Sequence, residues 1–512
     1  MSEHSVSHRI LKNVVWNFIG NGWLIFLMFF STPYIVRAFN VDLYGIYTLV
    51  FVVISYLSFL QFGLTQATIR SIAQHLAVND NENARISFWA CMIFYICIGL
   101  TGMSAIMLSA RFILVTFAKI DPKYQTLAIT SLRISSSAFL FGIATGALNG
   151  VLRALGRFDI CNRISIGTGT AQIGGTVVLL ALHFSLIHIV AFVALVQLSG
   201  LVANGYAVYK LVPWLLHPSW DRSAFIELFK FGGFVSIISI TDPIMTNSDK
   251  IFITSLRSVS SLTYYAIPYT IVSRLAVIPS AFMAVMFPMF SKMDQIKDIT
   301  ANRELYVRSI LYMMYIYLAM VLFIITFGKQ FLSLWIGNDF ALRSSVPLYI
   351  LTASGFISTA ATPSSTMLLA LGRPKYLALI SVIETIIYVP ISYTLIHRYG
   401  STGAASAWLF CTFLYAITIQ LTTLKVIGIG RWTFLRKIFV PMLIPLSTGA
   451  LLFFMLYSLH LRLTAPLNIA GLLAVFSIYG AIIWHIGLDD FARCRLREFF
   501  SSLFSGKKSD AI

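Results

Sequence analysis

Four ionisable residues, Arg133, Asp242, Arg274 and Glu384, stand well inside long apolar runs of the chain. A charge at mid-bilayer costs about 2.5–3.5 kcal/mol, so such a group normally faces the interior of a helix bundle or a water-filled cavity. A guanidinium presents five donors in a planar fork that grips phosphate through two oxygens at once. Arg274, which follows Tyr264, Tyr265 and Tyr269, and Arg133, which precedes Ser135, Ser136 and Ser137, therefore read as cations for a phosphate-bearing group. The alternative for each is a structural ion pair, or a side chain snorkelling to an interface. Asp242 precedes Pro243, whose ring breaks the helical hydrogen-bond ladder and exposes carbonyls. With Glu384 it reads either as an ion-coupling site for Na+ or H+, or as an ion-pair partner of the arginines. Counted from the ends of their runs, these two carboxylates differ in depth by roughly 10 Å, which weighs against one shared site. Asn17 and Asn21 stand four apart beside Gly20 and Gly22, a pattern that serves helix packing in lipid or contact with a polar substrate. Arg37, Asp249 and Lys250 fall near one membrane surface and Arg70 near the other, as anchors or gate pairs. Tyr269 offers a ring face for a sugar.

The elements that must position these residues follow from composition. The 512-residue chain is 58% hydrophobic and 11% charged, with a mean hydropathy of +0.83. Soluble domains carry about 25% charged residues, so the solvent of this chain is lipid. Its net charge of +18 belongs to loops that lie against anionic lipid, and nucleic-acid binding is excluded. The five cysteines form no CxxC pair, and neither a disulfide framework nor a metal site is expected. The opening residues MSEHSVSHRILKN lack a small-residue cleavage site, so the first apolar run should stay attached.

Runs of roughly 20 apolar residues are long enough to cross a bilayer. Fourteen are found, near 13–36, 44–69, 86–109, 126–148, 164–184, 187–211, 228–248, 262–290, 305–327, 346–371, 377–396, 403–424, 438–458 and 467–487. With the N-terminus inside, inner segments carry 25 Lys and Arg and outer loops 10, with two inside spans, which accounts for all 37. A bias of that size follows the positive-inside rule, and one miscounted span would erase it. The reading is a multi-pass membrane protein of fourteen spans with both termini cytoplasmic. Its loops are too short for an ATP-binding domain or a large catalytic loop, and no P-loop or DxD pair appears. The chain is not read as an enzyme.

Ala154-Leu155-Gly156-Arg157 recurs as Ala370-Leu371-Gly372-Arg373, each copy closing an even-numbered span. Leu43-Tyr44-Gly45-Ile46-Tyr47 likewise corresponds to Leu262-Thr263-Tyr264-Tyr265-Ala266 at the start of the second span of each half. Six spans is an even number, so the halves share topology and are related by an axis along the membrane normal. The expected organisation is a six-helix lobe at 1–212, an interfacial linker at 213–227, a second six-helix lobe at 228–425, two further helices at 426–487, and an amphipathic cytoplasmic tail at 488–512. The fold class is an all-α polytopic membrane protein.

The run from Leu11-Lys12-Asn13 to Tyr34-Ile35-Val36-Arg37, then Tyr44-Gly45, Phe62-Gly63-Leu64, Ala67 and Ile69-Arg70, resembles Wzx-type polysaccharide-precursor flippases. So do Ser248-Asp249-Lys250, Tyr264-Tyr265-Ala266 and Leu369-Ala370-Leu371-Gly372-Arg373. These belong to the multidrug/oligosaccharidyl-lipid/polysaccharide exporter superfamily. The resemblance implies two six-helix lobes in a V, with undecaprenyl-diphosphate-linked repeat units passing between leaflets for O-antigen, capsule or exopolysaccharide. It also implies membrane lipid, a polysaccharide polymerase and a chain-length regulator as partners, and no cofactor beyond a coupling ion. The similar lipid II flippases line their cavity with arginines, one of them in span eight, and hold sodium between spans seven, eleven and twelve. Two extra helices favour this branch over the usually twelve-helix drug exporters. The competing functions are a drug or cation antiporter of the same superfamily and, from another class, a membrane polysaccharide polymerase or ligase.

Overall fold

The computed structural model describes residues 3–57, 60, 64–78, 80–219, 221, 226, 241–295, 299–460, 465–487 and 493. Among them there are helices and turns and no strand, as lipid requires of a chain that must satisfy its own backbone. The protein is an all-α polytopic membrane protein of about fourteen spans. The tail at 488–512, apart from residue 493, and much of the linker at 213–227 lie outside the described residues.

The first helical stretch, Glu3–Tyr56, is broken at Asn40, where φ is 62° and ψ 170°. We label its parts α1 (3–39) and α2 (41–56). Asparagine tolerates this conformation because its short side chain bonds locally. Here Asn40 Oδ1 accepts from the backbone N–H groups of Asp42 and Leu43, both at 3.1 Å, and so caps α2. Next come α3 (Leu64–Ala77), α4 (Asn81–Arg111, with a π-helical turn Phe112–Phe117), α5 (Pro122–Ala154), α6 (Phe158–Ala181) and α7 (Leu186–Leu211). The break expected at HFSLIH is real, with His183 at φ 59° between α6 and α7. The second half holds α8 (241–256), α9 (Val259–Leu275), α10 (Val277–Gln295), α11 (Ile299–Trp335) and α12 (Asn338–Ala370). The stretch Pro374–Ile427 is broken at Gly400 into α13 (374–399) and α14 (401–427). A straight helix of its 54 residues would be about 80 Å long, far beyond a bilayer. Instead the chain doubles back, for a Cβ on Gly403 would lie 2.0 Å from the Leu395 carbonyl oxygen. Last are α15 (Arg431–His460) and α16 (Ala465–Ile482, with a π-helical turn Ile483–Gly487).

Two expected spans differ in detail. The run 44–69 is not one helix, since α2 ends at Tyr56 and α3 begins at Leu64. The run 262–290 is divided at Ala276 into α9 and α10. Averaged hydropathy sees the apolar stretch and is blind to a short interruption within it. Nine described helices are long and apolar enough to cross a membrane, and two of them, Gly22–Tyr56 and Pro374–Ile427, each contain one of the breaks above.

Compactness divides the chain into one unit of Met1–Ile267 with Ser381–Ala404, and another of Pro268–Ile380 with Ala405–Ile512. Residues 241–267 and 381–404 of the second sequence half therefore pack with the first half. The first unit is centred on α4, α5 and α7 through Phe88, Tyr95, Phe139, Leu152 and Val208. The second has a core of α11 with α15 and α16 through Tyr315, Phe327, Phe453 and Tyr479, where the Tyr479 hydroxyl donates to the Tyr315 carbonyl at 3.1 Å. Large apolar side chains also cover the outside: Leu108 is 84% exposed and Leu334 80%, tolerable only in lipid.

The two Ala-Leu-Gly-Arg turns match bond for bond. Gly156 and Gly372 sit at φ 70° and 67°. Leu155 N–H donates to Val151 O at 3.0 Å and Leu371 N–H to Met367 O at 2.9 Å, while Arg157 N–H reaches Leu152 O at 2.8 Å and Arg373 N–H reaches Leu368 O at 2.9 Å. The repeated tetrapeptide is thus a repeated helix-ending device, with glycine taking the left-handed position. A residue with a Cβ there pays about 1–2 kcal/mol. Gly156→Ala and Gly372→Ala should each lower stability by that amount, read as a fall in melting temperature of the detergent-solubilised protein.

Candidate functional site

The densest buried polar group lies on α8. Asn247, Ser248, Asp249 and Lys250 are 8%, 5%, 0% and 8% exposed. Four successive polar residues cover every side of a helix, so α8 must be enclosed by neighbours that answer them. From α9 the Tyr265 hydroxyl donates to Asp249 Oδ2, and the Lys250 backbone N–H donates to Asp249 Oδ1 at 2.7 Å. Tyr388 of α13, fully buried, lies beside the same carboxylate. The Lys250 ammonium donates to the Thr246 carbonyl and lies 3.5 Å from Asn247 Oδ1. From α2 the Ser55 hydroxyl donates to Asn247 Oδ1 at 3.3 Å. Taking charges out of water is costly, and donors and opposite charge arranged in this way offset the cost. The sequence places Asp249 and Lys250 near a membrane surface as anchors or gate residues. Their side chains are enclosed by protein, where they can hold helices together but cannot meet a large solute.

The other candidates are dispersed. Arg133 on α5 is exposed and makes no ion pair among the described residues. The serines after it are occupied: Ser135, Ser136 and Ser137 donate to the carbonyls of Leu132, Arg133 and Ile134 at 2.9, 2.6 and 2.7 Å. They do not extend the arginine into a phosphate cradle. Asp242 is exposed and Glu384 half-buried, and neither is in an ion pair with a described residue. Arg37 is exposed, and the side chains of Asn17, Asn21 and Arg70 lie outside the described part of the structure.

Arg274 is exposed in the last turn of α9, directly before the break at Ala276. It is therefore at a helix C-terminus in the middle of span eight, where unpaired carbonyls and the helix dipole favour a cation. The sequence does carry a signal for this break in Pro279, which stands in the first turn of α10, where the missing N–H costs no helical hydrogen bond. Tyr269, one and a half turns earlier, packs edge-on against Trp408 of α14, with centroids 5.7 Å apart and planes at 86°. Trp408 and Tyr388 escape the sequence reading, because a lone aromatic in an apolar run looks like core, whereas Tyr265 is read there beside Arg274 and not as the partner of Asp249. At the start of α6, Arg157 clasps Asp159 through Nε and a terminal nitrogen at 3.0 and 3.1 Å and holds that carboxyl below the usual carboxylate range. Among the described residues no group of three His, Cys, Asp or Glu is placed to hold a metal ion.

A family model described as polysaccharide biosynthesis protein matches residues 34–344, which include α2 to α11 and most of the site residues above. The chain belongs to that family. A Shigella flexneri protein that bears the name of an O-antigen transporter is 23% identical over 415 residues, which is 80% of this chain and 97% of that protein. Among solved structures, a lipid II flippase MurJ in an inward closed conformation superposes with a TM-score of 0.68 at 13% identity, over 93% of this chain and 99% of that one. An inward-facing multidrug resistance MATE transporter of the MOP superfamily also gives 0.68, at 16% identity over 81% and 94%. The fold of this polysaccharide biosynthesis protein is therefore that of the MOP superfamily.

Removing one member of a buried charged cluster strands the others without partners, at about 3–5 kcal/mol. Asp249→Ala should lose that much stability, and Tyr265→Phe, which removes one donor, about 1–3 kcal/mol. Thermal unfolding in detergent measures both.

Proposed function

We propose that this protein is a flippase that carries undecaprenyl-diphosphate-linked oligosaccharide repeat units across the bacterial inner membrane, for assembly of O-antigen, capsule or exopolysaccharide. The observation that carries the reading is Arg274: an exposed guanidinium at a helix break in mid-span, within the segment that defines the family. The name of the Shigella relative and the match in fold to a lipid II flippase support it.

In this reading two lobes, 1–212 and 228–425, alternate in access and both termini stay cytoplasmic. The sugar-diphosphate head enters a polar path while the polyprenyl tail remains in lipid. Arg274 and Arg133 replace the hydration of the diphosphate, and Tyr269, backed by Trp408, offers a ring to the sugars. Outward movement of negative charge runs downhill across an inside-negative potential by about 2.3 kcal/mol per charge per 100 mV. Two charges gain about 4–5 kcal/mol, so countertransport of Na+ or H+ on Asp242 or Glu384 is not required. A polymerase and a chain-length regulator would receive the product. A drug or cation antiporter wants a path dominated by carboxylates, whereas both mid-span arginines here are exposed. A polymerase or ligase wants a long outer catalytic loop, for which this chain has no room.

In a strain lacking its own repeat-unit flippase, Arg274→Lys should restore part of the surface polysaccharide and Arg274→Ala none. Full activity of the alanine variant removes Arg274 from the mechanism. In proteoliposomes, collapsing a 100 mV potential should shift the distribution of the lipid-linked oligosaccharide between leaflets by on the order of a thousandfold. An unchanged distribution would assign the driving force to an ion gradient.

A further inference from the structure

Outer loops should be poor in cations, and six of the seven hold two or fewer. The loop between spans three and four, residues 110–125, holds three: Arg111, Lys119 and Lys123. Lys123 is answered within the loop, 3.9 Å from the Asp121 carboxylate and 4.6 Å from the centre of the Tyr124 ring. Arg111 and Lys119 are exposed, and no ion pair reaches either one among the described residues. The backbone that joins them makes the π-helical turn Phe112–Phe117, then bends through Lys119 at φ 50°, with Ala118 and Ile120 buried on either side. Single π turns are rare in helices and occur mostly at functional sites.

The same turn borders an apolar groove inside the first unit. Leu49 and Val53 of α2, Ile106, Ile113 and Phe117 of α4 and Ile251 of α8 line it. Ser109, also in its wall, donates back to the Ala105 carbonyl at 2.5 Å. Ala118 lines the groove as well and directly precedes Lys119. From Ala105 to Ala118 the groove follows α4 for about 20 Å, so it lies in the leaflet nearest the loop. Its volume is about 250 Å³. A cavity of about 150 Å³ holds one benzene, so this groove has room for roughly ten carbons of a single chain.

Lipid tails are as apolar as leucine, so a chain gains no hydrophobic energy by leaving the bilayer for the groove. Contact with a shaped wall and capture of a charged head must select it. We propose that the groove and the loop form one site for the exported lipid, with the polyprenyl chain in the groove and the diphosphate on Arg111 and Lys119. Two free cations beside a groove one chain wide match two phosphates on a single tail. A phospholipid would seat one chain there and leave its second outside. The site serves release into the outer leaflet, after passage is complete.

The inference rests on the flippase reading for the identity of the lipid, and its test separates the two. Full-length protein carrying Phe117→benzoylphenylalanine is placed in nanodiscs of phosphatidylcholine and phosphatidylglycerol with added undecaprenyl diphosphate, and irradiated. The site requires an adduct with the mass of undecaprenyl diphosphate, in a yield that falls about fivefold when Arg111→Gln and Lys119→Gln are added. Adducts to phospholipid alone, or a yield unchanged by the two glutamines, overturn it. If the adduct forms as required while the wild-type chain fails to rescue a flippase-null strain, the flippase reading is at fault and the site is not. Should the photoreactive variant fail to fold, native mass spectrometry carries the test in a protein whose Arg133 and Arg274 are both replaced by alanine. Bound undecaprenyl diphosphate must then fall about fivefold on adding Arg111→Gln and Lys119→Gln, and an equal amount overturns the site.

Discussion

Hydrocarbon offers no hydrogen bonds, so every polar group that enters it must be answered by the protein or by water held within the protein. In this chain that constraint acts at two scales. Along the backbone it leaves only helices, and at several helix ends among the described residues the freed groups are met at once: at Asn40 by its own amide oxygen, at the ends of α5 and α12 by glycine turns, at the end of α13 by Arg257. In the side chains it gathers Asp249, Lys250, Tyr265 and Asn247 into one buried group. The place of the other charged residues is set against those two facts.

Polar bonds made inside a helix bundle hold its parts in one arrangement more than they add to its stability, because each exchanges with desolvation at nearly equal value. The α8 cluster therefore reads as the fixed reference of its unit, with α9 and α13 attached to it. Arg274 and Arg133 are of a different kind. They are exposed, and Arg274 stands where the apolar run 262–290 is interrupted. Interruptions within a membrane are tolerated only beside protein or a wet path, and they present helix ends, with their partial charges, to whatever passes. The charged residues thus divide into an enclosed cluster on α8 and arginines that are exposed.

Most of the architecture can be read from apolar run lengths, charge bias and the repeated Ala-Leu-Gly-Arg. The reading goes astray at short interruptions, between α2 and α3 and at Ala276, because a hydropathy window averages them away. The candidate site is legible in part. Arg274 and Arg133 stand out as charges in apolar runs, whereas Tyr388 and Trp408 do not, since a buried aromatic is ordinary until its hydroxyl or ring is seen to have a partner.

By itself the sequence determined the solvent, the helical class, the number of crossings and the family, because these depend on composition and periodicity along a single chain. Only the tertiary structure decided which charges are enclosed and which are presented. It enclosed the side chains of Asp249 and Lys250 among helices, set Arg274 at a helix end, and brought the start of α2 against the start of α9. Those outcomes depend on residues 16 to more than 200 positions apart meeting in space, as Tyr265 meets Asp249 and Ser260 meets Asp42. No local pattern carries such distances, since the energy that sets them is shared among helices that lie far apart along the chain.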